Sequence, residues 1–523
     1  MRDGVEQSGG HPGIPENAME HTVLPDKPSH IAIVGGGFSG VCAAVQLVRS
    51  SPAPLHITLI EPRDRVGLGL AYSTTDPDHR LNGPTWVHSI DPQDSGHFTR
   101  WCEKQGIFSA DSQALLPDGS AFVRRADFGR YMESAFREHA QWPATQSTIT
   151  HLRARAVDAL EKGDSVELVT DAGHSLVCDL LIIATGNPQP RLQAPLDASL
   201  AAHPGVVENP LDTQRLLEIP AQASVLIIGS SLTALDVLAT LLRQGHTGKM
   251  VSISRRGLQP RPQAPSAGPL SPPPTVPVAP ATATGRQMLD RILGPAPDFL
   301  TQPGVEPTLR AWIRALRQRI GEVQAQGASW HLAFDELRDV VWRTWPLLPT
   351  AEKRRFLKKA RTWYDVHRFR SPPQTQSLVQ AAQAQGRIEF RVDRIQSVAA
   401  LEASGPLRVC FAPRQGNAKR CEAFEVIINC TGLDVLARVS SNPFLSALMD
   451  KGWLTPDACG IGFAVDEHCR ALTAKGTKQR AVRVIGPPTA GTFGDPLGAM
   501  FIAAQIYRIV PDVLSSLEAS RMR

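Results

Sequence analysis

Behind the apolar run HIAIV stand three glycines, Gly35, Gly37 and Gly40, at a spacing that builds a cradle for a pyrophosphate. In such a turn the first glycine permits the tight reversal, the second lets the backbone approach the phosphates, and the third lets helix and strand pack closely. Phe38 and Ser39 lie between them at the start of the following helix, whose positive N-terminal end faces the anion. A second apolar run, LHITLIEP, ends in Glu61, a carboxylate placed to accept hydrogen bonds from the hydroxyls of an adenosine ribose. Cradle and acid serve FAD and NAD alike, so the loop by itself leaves the dinucleotide open.

The pattern recurs in SVLIIGSSLTALDV, where Gly229, Ser231 and Thr233 lie in the turn and serine and alanine replace the second and third glycines. The next strand, MVSIS, ends in Arg255 and Arg256 instead of an acid. Two guanidiniums there suit the 2′-phosphate of NADP; the alternative is a pair of solvated surface arginines. Two further apolar runs end in Thr185–Gly186 and Thr431–Gly432, and these four residues join the cofactor-binding candidates. Near the C-terminus, AVRVIGPPTAGTFGDPLGAM predicts a strand, a loop carrying Asp495, and a helix from near Pro496. That helix either points its positive end at the electron-rich edge of a flavin or serves packing alone. The strands in FEVIIN and AVRVI are both expected to rejoin the first sheet.

The elements that must position these residues are strand, turn, helix and strand, twice over, which makes the chain an α/β protein of two Rossmann-like units. At 523 residues it exceeds one ordinary core. The expected division is a disordered tail over 1–28, a first unit over 29–190, a second over 191–395 with a helical segment and a proline-rich insert at 259–285, and returning strands with a terminal helix over 396–523. Hydrophobic and charged contents of 42% and 20% are globular values, and the net charge of +5 is mild for this length, so neither nucleic acid nor membrane is an expected partner. The eight cysteines contain no CxxC pair, which points away from zinc or a redox dithiol and toward reduced thiols in a cytoplasm; no metal site is expected.

The motif order, a first dinucleotide unit interrupted by a smaller one and finished by returning strands, resembles the two-dinucleotide-binding-domain flavoproteins. More narrowly, GLGLAYSTTDPDHRLN, HFTRWCEKQG, FVRRADFGRYM, GSSLTALDV, SRRGLQP and RTWYDVHRFRSPP resemble the FAD-NAD(P)-binding family. The resemblance implies an FAD-binding Rossmann-like domain interrupted by a smaller NAD(P)-binding one, with NADH or NADPH as co-substrate. It implies a monooxygenase that passes one atom of O2 to a small electron-rich substrate. Members that hydroxylate urate to 5-hydroxyisourate in bacterial purine breakdown are the expected nearest kin, with N-hydroxylation of an amine as the alternative. A non-catalytic flavin-binding sensor is a further reading, and a disulfide reductase would need a cysteine pair. The proline-rich insert and the TFGDPLGAM loop depart from the family pattern.

On this reading Gly67, Gly69, Ala71, Tyr72 and Asn82 are the candidates beside the flavin, although Asn82 before glycine also suits a plain turn. Arg124 and Arg125 either meet an anionic ligand or face solvent. The run from Glu352 to Ser371 reads as amphipathic helix, with Phe356 and Trp363 inward and Lys353, Arg354, Lys358 and Arg361 outward. His367 is a candidate proton carrier or a packed structural histidine.

Overall fold

Runs such as SHIAIV, LHITLI and LLII, apolar almost throughout, belong to strands covered on both faces, which is how parallel sheets are built. In the computed structural model, which describes residues 28–196, 198–264, 285–413, 420–432, 442–494 and 498–521, these three strands lie side by side. Ile31 stands level with Ile57 on one side and Leu180 on the other. Ser147–Leu152 and Lys478–Val484 extend the parallel sheet, and Gln141–Trp142 and Arg470–Leu472 close its edges antiparallel. The helix Phe38–Ser50 packs on this sheet and against the long helix Ala499–Arg521. By length and composition that last helix is apolar enough to cross a membrane, but Ile502, Ala503, Ile506 and Ile509 are buried inside the protein core.

The second sheet repeats the arrangement. Val225 pairs in parallel with Met250 and with Val426, Met250–Ser254 lies beside Ile388–Ala400, and Val206–Val207 ends the row. The strand Val426–Asn429 therefore belongs to the second sheet, where a return to the first was expected, and only Lys478–Val484 makes that return. Two uncharged strands ending in Thr-Gly look alike in sequence; which sheet takes each is decided by the neighbour whose glycine turn it must cross. A boundary at residue 395 would also cut the strand Ile388–Ala400, which leaves the parallel sheet and turns into an antiparallel meander with Leu407–Pro413 and Arg420–Phe424.

That meander corrects the reading of eight reduced thiols, because Cys410 and Cys421, directly opposite in register, form a disulfide. Between Met250–Ser254 and Ile388–Ala400 the chain inserts a set of helices, among them Leu309–Ala325, His331–Asp339, Thr350–Lys359 and Arg361–Arg368. The expected tail and most of the proline-rich insert, together with Asp495 and Pro496, lie outside the described residues.

The two units are tied by charge. Arg125 of the first forms an ion pair with Asp236 of the second at 2.8 Å, and Arg243 reaches Asp76 at 2.7 Å. Thr240 Oγ1 donates to the same Asp76 carboxylate at 2.9 Å.

Candidate active site

Gly35 adopts φ +111°, and a Cβ there would lie 2.6 Å from the Ala184 carbonyl oxygen, so no other residue fits without a shift. A Cβ on Gly40 would lie 1.9 Å from the Gly35 carbonyl oxygen. Gly37 faces Gly69 across a gap that a Cβ would reduce to 3.3 Å, which leaves two bare stretches of backbone opposite each other. The helix Phe38–Ser50 has no side-chain cap at Gly37, and its first amides carry the uncompensated positive end of the helix. Glu61 accepts from the Gly36 amide at 3.0 Å and the Arg63 amide at 3.2 Å, which holds the carboxylate beside the turn with acceptor sites to spare. Thr185, at the end of the neighbouring strand, has a buried hydroxyl with no hydrogen-bond partner. A bare cradle, an uncapped helix end, a carboxylate and an orphaned hydroxyl together fit the ADP half of FAD.

The second unit reproduces this geometry. Gly229 has φ +123°, and a Cβ would meet the Cys430 carbonyl oxygen at 2.1 Å, as Gly35 meets Ala184. Ala234, fully buried, stands where Gly40 stands in the first unit. Thr431–Gly432 is thus the counterpart of Thr185–Gly186, one pair for each turn. Ser231 caps the helix Leu232–Arg243 without a side-chain hydrogen bond, which leaves its hydroxyl available to a phosphate.

Between the units lies a cleft of about 1770 Å³. Ala71, Tyr72, Asn82 and Arg125 form its wall on the first unit; Gly229, Ser231, Thr233, Arg255, Arg256, Thr431 and Gly432 form the opposite one. Arg255 is exposed, Arg256 half-buried, and neither is paired with a carboxylate among the described residues. Gly35, Gly37, Phe38, Ser39, Gly40, Glu61, Gly69, Thr185 and Gly186 do not line this cleft, whereas Asn187, next in the chain after Gly186, does. Gly498 and Ala499 bring the start of the long terminal helix to the cleft.

Individual candidates fare differently. Tyr72 packs edge-on against Phe128 with ring centroids 4.7 Å apart, and burial pushes its hydroxyl up to about 12. Asn82 lines the cleft, accepts through Oδ1 from Arg125 at 3.3 Å, and accepts through its carbonyl oxygen from Gln263 at 2.8 Å. Arg125 faces neither solvent nor a ligand alone: it bridges to Asp236, while Arg124 pairs with Asp111 at 3.4 Å. His367 is not in the cleft. Its ring stacks on Phe334 at 4.7 Å and its Nδ1 lies 2.7 Å from the Trp363 carbonyl oxygen, which makes it a packing residue.

The run Glu352–Ser371 breaks at Ala360 into two helices, and the break resets the helical phase. Phe356 turns inward against Trp345, but Trp363 is 51% exposed, contrary to the expected inward face. Arg354, Lys358, Arg361, Arg368 and Arg370 line the cleft and make it strongly basic. Sequence reasoning placed three of these, Arg354, Lys358 and Arg361, on a solvated face and gave Arg368 and Arg370 no role, although RTWYDVHRFRSPP carried the signal. His88 also lines the cleft and was missed; burial lowers it to about 4, so it stands neutral. Cys430 and Cys459 reach the cleft as separate free thiols, both raised by burial, so no thiolate pair is poised there.

Residues 32–188 match the FAD-NAD(P)-binding family. That stretch is the first unit up to the end of its Thr-Gly strand. No curated protein matches the chain. Among solved structures, the ornithine N-hydroxylase of Kutzneria sp. 744 aligns with a TM-score of 0.59 at 14% identity, covering 94% of this chain and 100% of that one. The ornithine hydroxylase of Pseudomonas aeruginosa gives 0.57 at 15% identity over 94% and 100%. The L-lysine 6-monooxygenase of Pseudomonas syringae gives 0.55 at 14% over 94% and 99%. At these identities the likeness is one of fold: an α/β flavoprotein architecture of two dinucleotide-binding units.

Proposed function

We propose that the chain is an FAD-dependent, NADPH-using monooxygenase that hydroxylates the nitrogen of a primary amine. The observation that carries this reading is the single basic cleft onto which the second unit's nucleotide turn and Tyr72 and Asn82 of the first unit both open. The similar structures are named as hydroxylases of ornithine and lysine, which favours an amine over the heterocycle urate as substrate. Bound FAD would supply the redox chemistry, accepting a hydride from NADPH and mediating transfer of one atom of O2. The overall balance is amine, NADPH, a proton and O2 to hydroxylamine, NADP+ and water.

The residues present have definite tasks in such a reaction. Gly35, Gly37 and Thr185 hold the ADP end of FAD, and Gly229, Ser231, Arg255 and Arg256 hold the nicotinamide dinucleotide and its 2′-phosphate. An amine attacks only as its neutral form, so the ammonium must lose its proton before the transfer. Neutral His88 and Tyr72 line the site without adding charge. The apolar part of the cleft lining, Val87, Ile228 and Phe501 among it, limits water beside the reacting atoms, which protects the oxygen transfer from wasteful release of hydrogen peroxide.

The test is NADPH consumption and hydroxylamine formation measured together with ornithine, lysine, n-alkylamines and urate. Coupled hydroxylamine from an amine supports the proposal. Oxygenation of urate alone would replace it with the heterocycle reading, and flavin that NADPH cannot reduce would leave a binding or sensor protein.

A further inference from the structure

The helical insertion lines most of a second, partly open cavity of about 540 Å³ that none of the described cofactor-binding candidates touches. Its size is that of an ordinary small-molecule site. Ile313, Leu316 and Ile320 stand at i, i+3 and i+7 along the helix Leu309–Ala325, so the apolar stripe of this helix faces a space where a packing partner would normally lie. Phe334 and Leu337 face the same space from the helix His331–Asp339, whose Arg338 points instead into the cleft.

The two cavities share a wall. Leu357, Arg361, Asp365, Arg368 and Ile461 line both, and the helix Arg361–Arg368 turns Thr362 and Val366 to the cleft and Trp363, Tyr364 and His367 to the cavity. The partition is therefore one helix thick and carries polar side chains at its shared edge. Ile313, Leu316, Phe334 and Leu337 give the cavity an apolar lining suited to a hydrocarbon group.

We infer that this chamber receives the apolar tail of the substrate, an alkyl or aryl chain whose amino head lies across the Arg361–Asp365–Arg368 edge in the cleft. The inference rests on the proposed function for the identity of the head, and on the chamber itself for the tail. Beyond the polar edge of Arg361, Asp365 and Arg368 the chamber presents Ile313, Leu316, Phe334 and Leu337, which suit a hydrocarbon tail better than the charged amino-acid end of ornithine or lysine.

The test is calorimetric binding of a series of primary n-alkylamines, butyl to decyl, to the FAD-loaded full-length protein. Affinity is expected to rise about fourfold for each added methylene. Ile313→Trp and, separately, Leu316→Trp, each checked by melting temperature and flavin content, are expected to weaken decylamine at least tenfold and butylamine hardly at all. Affinity independent of chain length in the unsubstituted protein, or a chain-length slope that survives both substitutions, overturns the inference. Product analysis separates the two claims. Slope-dependent binding without hydroxylamine leaves the chamber assigned and removes the N-hydroxylase reading, whereas hydroxylation of short amines with a flat slope does the reverse.

Discussion

Arg255 and Arg256 follow the strand where the first unit has Glu61, and in the proposed reading they hold the 2′-phosphate that separates NADPH from NADH. A guanidinium pair on a 2′-phosphate contributes charge-assisted hydrogen bonds of roughly 1.5–3 kcal/mol each. Replacing both by alanine is expected to raise the KM for NADPH by about tenfold to a hundredfold and leave that for NADH unchanged; equal effects on the two coenzymes would remove phosphate recognition from their role. Gly229→Ala forces a Cβ to 2.1 Å from the Cys430 carbonyl oxygen in a region of positive φ. The expected variant keeps its yellow colour, because the first unit is untouched, but its flavin is no longer reduced by NADPH in anaerobic stopped flow. The glycine turns were legible in the sequence because their reason is local: a Cβ collides with the chain a few residues or one strand away. His88 was not, because its neutrality comes from burial by residues distant in sequence.

At the scale of elements, strands and helices were readable and their partners were not. The strand Val426–Asn429 is as apolar as Leu180–Ile183 and ends in the same Thr-Gly, so its own residues do not say which sheet it enters. In the fold it pairs with Val225–Ile228, and the Gly229 turn passes over its Cys430 end. His367 misled for a similar reason: a histidine in a basic helix resembles a proton carrier until Phe334, from another helix, covers its ring. Between the units, the Arg125–Asp236 pair is largely withdrawn from water, with side chains 13% and 8% exposed. Removing one member leaves the other charge uncompensated, at a cost of about 3 kcal/mol or more. Arg125→Gln is therefore expected to lower the melting temperature, and adding Asp236→Asn to recover much of the loss. Additive losses in the double variant would show that the pair does not join the units.

The whole molecule carries a pH signature. Seven histidines, His79, His88, His97, His139, His246, His331 and His367, are held below their ordinary value, each chiefly by burial, with His88 and His331 lowered to about 4. A histidine lowered in the folded state binds its proton more readily when unfolded, so stability is complete above about pH 6.5 and declines as pH falls toward 4. His88 and His331 each contribute up to about 3 kcal/mol of that decline. Melting temperature should fall steadily across this window, and His331→Asn should flatten the slope; a melting temperature constant from pH 7 to 4.5 would contradict the buried, neutral state assigned to these rings.

The proposed function has FAD held by the first unit, NADPH by the second and the substrate in the cleft between them, which is a claim about where an oxygen atom goes. Turnover under 18O2 with NADPH and n-alkylamines, read by mass spectrometry, tests it most directly. One 18O in the hydroxylamine for each NADPH consumed is the predicted result. NADPH oxidised only to labelled hydrogen peroxide with every amine, or a purified protein that neither carries nor takes up FAD, would contradict it.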